Sequence, residues 1–211
     1  MPLENLMITK EHCLHTLSEC GIAHETIQHP IANTTQSHIG SLRGTTLEPL
    51  IGRGQTIHLF LQVPSDAGPL ADRLILISAL LDTPLDLRLL AKRLGLQCEL
   101  RVVTESDDIW SEVMNLNHFV GCMNPFVMLQ AQCSKVTLLL DRSMLGRERV
   151  MFHPMRMDFT TAITPSELTI FLNSVSPGKF AFVDLTATAA LTLPTLDTRR
   201  RTAMQILISK F

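Results

Sequence analysis

One α+β domain, with a mixed and mainly antiparallel sheet and helices packed on it, is the fold this sequence predicts. Three observations lead there. The 211 residues suffice for one hydrophobic core of ordinary size, with little left for a second. The apolar pattern moves between strand and helix periods without the strict strand–helix alternation of a doubly wound sheet. A turn-prone PSDAGP at 64–69 joins two strand-like runs, which makes that pair a hairpin.

The elements follow in order. Thr9 is a fit N-cap, Cys13, Leu14 and Leu17 share a helical face, and Gly21 stands where a helix stops, so 9–20 is a helix. Residues 22–28 alternate as a strand, and HPIANTTQSHIGSLRG after them reads as a polar loop. Strands are expected at 56–63, 73–80 and 99–103, with helices at 85–94 and 104–114; Thr104-x-x-Asp107 resembles a capping box. Further strands are expected at 126–130, 135–141, 150–152 and 159–163. Thr164-Pro165-Ser166-Glu167 combines an N-cap, a first-turn proline and a capping glutamate, which starts a helix over 165–174, and 180–184 closes as a strand. Residues 1–185 form the domain, and 186–211 form a C-terminal extension of different composition.

Composition excludes several classes of protein. With 45% hydrophobic and 18% charged residues the chain is far from the disordered range. Its apolar runs are strand-sized, well short of the roughly 18 residues a membrane helix needs. The start, MPLENLMITKEH, lacks a basic segment followed by an apolar block, and a cytoplasmic protein is expected. Five widely spaced cysteines without a CxxC pair read as reduced thiols. His12, Cys13, His15 and Cys20 resemble a metal-ligand set, but Cys13, Leu17 and Cys20 have core spacing, so no metal is assigned. Formal charge is −2 overall, while residues 197–211 carry +3, which leaves the body near −5 and unlike a general nucleic-acid binder. The tail reads first as an arm that packs on the domain or a partner, and second as a phosphate contact through Arg199, Arg200 and Arg201.

Four separated segments carry something more specific. They are LSECGIAHETIQHP, which ends in His29-Pro30; HLFL, followed by LILISALLDTPLDLRLLAKRLGL; VGCMNPFVML, with Gly121 and Pro125 spaced as Gly-x-x-x-Pro; and VMFHPMRMDFTTAITPSELTIFL, which contains His153. In this order they resemble the YbaK and prolyl-tRNA-synthetase editing-domain family, over about residues 9–185. The resemblance implies an aminoacyl-tRNA deacylase that needs neither metal nor cofactor. Its first substrate would be alanyl-tRNA(Pro), with serine a neighbouring possibility for the amino acid removed. Its partners would be the tRNA acceptor end and prolyl-tRNA synthetase or a synthetase complex. The same resemblance implies roles for Gly121 and His153 in the reaction and for Asn124, Pro125 and Thr160 around the substrate.

Two departures stand out. The family places a lysine just before LFL, and without a gap that lysine falls on Ile57, which carries no charge and donates no hydrogen bond. His58 and Arg53 are the substitutes at hand, although adjacent strand residues point to opposite faces. After His153 the chain reads Met155-Arg156-Met157-Asp158-Phe159-Thr160, bulkier than the family's small, Asn-rich stretch. Three functions are therefore weighed: a deacylase with a variant site, a silent relative that binds tRNA or docks to a synthetase, and a small-molecule module reusing the pocket. An open cleft between 121–125, 57–61 and His153 favours the first; Ile57, Met157 or Phe159 filling it favours the second.

Overall fold

The computed structural model describes residues 8–114 and 122–196. Two sheets organise them. The first, of three antiparallel strands, runs β1 (Glu25–Gln28), β7 (Phe159–Ile163), β6 (Val150–Phe152). The second has five strands in the order β4 (Arg101–Val102), β2 (Thr56–Gln62), β3 (Leu74–Leu80), β5 (Val136–Asp141), β8 (Phe180–Val183). Within it, β2 is antiparallel to β3 and β4, whereas β5 lies parallel to both β3 and β8. The expected mixed, mainly antiparallel α+β architecture is present, divided between two sheets.

The LILISAL sequence of β3 explains its central place. All seven residues are buried, because helices cover both faces of this sheet and leave no side for polar residues. On one face Leu74, Leu76 and Leu80 join α1 (Lys10–Glu19), α4 (Asp108–Met114) and α5 (Pro165–Val175) through Cys13, Leu17, Trp110, Phe171 and Leu172. On the other, Ile75, Ile77 and Ala79 meet Leu90 and Ala91 of α3 (Leu87–Arg93). A third, smaller cluster of Leu42, Leu47, Leu50, Met151 and Ala162 lies against the three-stranded sheet.

The helix starts follow from side-chain chemistry. Thr164 accepts from the Glu167 amide while Glu167 reaches back to the Thr164 amide, as the capping box requires, and Pro165 occupies the first turn. α1 is capped by Thr9, with His12 closing the box through its Nδ1. The Thr104–Asp107 pair forms as hydrogen bonds, yet the helix begins only at Asp108, so the box closes a turn ahead of α4.

Three expectations fail, for local reasons. The loop expected after His29 contains α2 (Thr35–Leu42), started by a reciprocal Thr34–Ser37 cap. The strand expected at 126–130 is a buried 3-10 turn over Pro125–Leu129, because Pro125 cannot donate to a ladder and Asn124 caps the Phe126 amide. The strand expected at 99–103 is reduced to Arg101–Val102.

The seam between the sheets matters most for the site. Gly54 lies so close to the residue before β6 that a methyl group there would collide with the Arg149 carbonyl oxygen. Its own carbonyl accepts from the Met151 amide at 2.8 Å, and the Thr56 hydroxyl donates to the Met151 carbonyl at 2.6 Å. β2 and β6 are thereby held edge to edge. Past β8, the chain is fastened to α3 by Arg93, which donates to the Asp184 and Ala189 carbonyls.

Candidate functional site

At this seam a pocket of about 290 Å³ opens, near the lower end of the range for small-ligand sites, roughly 300–1,000 Å³. β2 contributes Ile57 and His58, the position just past β6 contributes His153, and α2 with the segment before it contributes His38 and Thr34; Met157 completes the wall.

Each histidine is held by a specific partner. The His29 amide donates to the Asp158 carbonyl and so extends β1 along β7. Its ring is buried, with Nδ1 on the Pro30 carbonyl at 2.8 Å and Nε2 2.8 Å from the Thr160 hydroxyl. The cap at Thr34 aims α2 so that His38 Nε2 meets the same hydroxyl at 2.9 Å. Thr160 has a single proton to give, so it donates to one of these rings and accepts from the other. His153 Nδ1 faces the Phe159 carbonyl at 2.8 Å; a carbonyl only accepts, so Nδ1 carries the hydrogen and Nε2 the lone pair.

His58 is held differently. The Thr56 hydroxyl gives its proton to the Met151 carbonyl, so His58 Nε2, 3.3 Å away, is the donor in that pair. His58 Nδ1 is then a buried acceptor without a partner among the described residues. Leaving such a group unpaired costs about 1–3 kcal/mol.

Burial sets the charge of the pocket. It pushes His38 down to about 3, helped by His153 and His29, and His58 down to about 3, helped by His153. It also lowers His153, against the opposing pull of the Phe159 carbonyl. These three rings are therefore uncharged near neutral pH, and among the described residues the lining holds no lysine, arginine or carboxylate. The walls offer hydrogen bonds and apolar surface, and no fixed cation.

The structure places the other expected residues as follows. Arg53 is exposed in the turn before β2 and is not part of the lining. Asn124 is fully buried, donating to the His153 carbonyl at 2.7 Å and accepting from the Phe126 amide, so it braces the strand end that carries His153. Pro125 is buried at the start of its 3-10 turn. Thr160 stands behind the wall as the bridge between His29 and His38. Gly121, Arg199, Arg200 and Arg201 lie outside the described residues. Cys13 is buried in the core, as its spacing implied, whereas His12, expected towards water, is half-buried and engaged in the α1 cap. His38 was missed, because its segment read as loop; the Thr34-x-x-Ser37 cap was the available signal.

Comparison with known proteins decides the family. The model of the aminoacyl-tRNA editing domain matches residues 60–171, just over half of the chain. The chain belongs to the aminoacyl-tRNA editing domain family. Solved structures agree on the fold. The hypothetical protein APE2540 aligns with a TM-score of 0.57 at 14% identity, over 82% of this chain and 99% of its own. A proposed trans-editing enzyme for prolyl tRNA synthetase aligns with a TM-score of 0.54 at 15% identity, over 84% of this chain and 98% of its own. No curated protein matches. Among the described residues no helix is long and apolar enough to cross a membrane.

Proposed function

We propose that this editing domain acts in trans as an aminoacyl-tRNA deacylase, with alanyl-tRNA(Pro) as its first substrate. The observation that carries this reading is the pocket: it opens beside His153, and Ile57 and Met157 stand in its walls without filling it. The ester between an amino acid and the terminal ribose is already activated. Holding it, orienting a water and stabilising the developing oxyanion are enough to speed its hydrolysis. His153 Nε2 and His58 Nδ1 are acceptors suited to orienting a water or a substrate hydroxyl; rings this reluctant to take a proton position rather than deprotonate. The oxyanion is assigned to backbone amides of the Gly121 loop. Ile57 and Met157 restrict side-chain size, and overlap rejects larger residues more sharply than a missing methylene, worth about 1–3 kcal/mol, rejects smaller ones. The tRNA acceptor end would meet Arg53 and the Arg199–Arg201 cluster, beside prolyl-tRNA synthetase or a synthetase complex in the cytoplasm.

One observation favours a second reading. The lining has no cation where the family's lysine would fall, which suits a silent relative kept for its contacts. The deciding experiment is alanine release from alanyl-tRNA(Pro) by the purified protein, with Gly121→Val and His153→Ala beside it. Hydrolysis lost in both variants is expected. A folded protein that binds tRNA or synthetase without releasing alanine overturns the deacylase in favour of the silent relative.

A further inference from the structure

Two of the pocket's histidines, His38 and His153, form a cluster with His29 behind the wall. One ring nitrogen from each of His29, His38 and His153 lies within 4.8 Å of the other two, and the His38 and His153 rings are 4.7 Å apart between centroids. These residues come from three separate places, just past β1, within α2 and just past β6, so the folded chain alone assembles them.

We propose that His29, His38 and His153 bind one divalent transition-metal ion, zinc before others, at the inner end of the pocket. The donor set is the first argument. Three imidazoles suit zinc, copper or nickel, whereas magnesium and calcium require oxygen. Three protein ligands with a fourth position left open is also the arrangement of zinc sites that take a water or a substrate. The orientation of the rings is the second. His29 and His153 each turn Nδ1 to a backbone carbonyl, which leaves the lone pair on Nε2, in His29 beside the Thr160 hydroxyl; this outer contact is the one that orients metal-bound histidines.

The geometry asks for a modest closure. Zinc–nitrogen bonds of about 2.0–2.1 Å in a tetrahedron set neighbouring nitrogens roughly 3.3 Å apart. The spread of 4.8 Å must therefore shrink, and His38 can supply the movement, because α2 has eight residues and buries only Leu42. A bound ion would put positive charge into a pocket whose described lining has none, beside Ile57 at the position of the family's lysine. That use in ester hydrolysis rests on the editing reading; the binding itself does not.

The test is titration of chelator-treated, tag-free protein with cobalt(II), followed by its visible absorption, and with zinc against a chromophoric chelator. The expected result is one equivalent per chain, with affinity reduced at least about tenfold in His38→Ala and in His153→Ala and unchanged in His12→Ala. His38→Gln, which keeps more of the side-chain volume, serves as a second variant, with circular dichroism checking the fold of each. No stoichiometric binding overturns the inference. So does equal binding by folded His38→Ala and His38→Gln, or loss of binding in His12→Ala. Zinc bound with no alanine released leaves the metal site standing and removes the editing reading. Alanine release from protein that binds no zinc does the reverse.

Discussion

The two sheets bury different chemistry. In the five-stranded sheet the central strand β3 is buried at all seven positions, and Ser78 is its one polar residue. In the three-stranded sheet the central strand β7 buries Thr160 and Thr161, and both hydroxyls are in use: Thr161 bonds Thr26 at 2.9 Å, and Thr160 bridges His29 and His38. Apolar burial is nondirectional and tolerates many arrangements, whereas a buried hydroxyl carries a cost unless a partner waits at the right distance and angle; Ser78 has none among the described residues, while Thr160 and Thr161 both do. The larger sheet therefore supplies stability, and the smaller one supplies fixed positions for histidines.

Phe126→Ala tests the first half of that contrast and carries the largest expected effect. Phe126 is fully buried and meets Phe152 and Phe171 edge to face at 5.5 and 5.4 Å, so its loss costs about 3–5 kcal/mol. A urea midpoint shift equivalent to less than about 1 kcal/mol would mean that the cluster is loosely packed.

Thr160→Val tests the second half. The shape is kept while His29 and His38 lose their shared partner, with an expected loss of about 1–3 kcal/mol. Thr160→Ser should restore most of it, since the hydroxyl returns. If valine and serine behave alike in urea denaturation, the bridge contributes nothing and the polar sheet is held by its backbone alone.

The smallest effect belongs to the rim of the same sheet. Arg149 donates to Glu25 at 2.6 Å and to the Ala162 carbonyl, linking the strands on either side of β7. A hydrogen bond from Thr46 and then the Arg149 partner hold the Glu25 carboxyl below its ordinary 4.5. A lowered carboxylate stabilises the fold above that value and ceases to do so as pH falls through it. Glu25→Gln should therefore cost about 0.5 kcal/mol at pH 7, and the two proteins should converge in acid. Stability curves that stay parallel from pH 7 to about pH 3 would contradict this.

Much of both sheets was legible in advance. A run such as LILISAL between turn signals has few alternatives, and β2, β3, β6, β7 and the Thr164-capped α5 lie where the pattern put them. The apolar run after Pro125 was ambiguous, because an apolar stretch without periodicity suits a strand or a buried turn equally, and the proline and Asn124 decided for the turn. α2 was hidden by its polar composition and by a cap with serine in place of the usual glutamate.

The site divides along the same line. Local sequence determined that Ile57 and His58 share a strand, that His153 directly follows another, and that a charge is missing where the family has a lysine. Only the tertiary structure decided that His38 and His153, more than a hundred residues apart, become neighbours over a threonine shared with His29. The physical reason is one of range. Strand periods, caps and turns are settled among residues a few positions apart, whereas the company a buried histidine keeps depends on how two sheets meet, here at a glycine that lets their backbones touch.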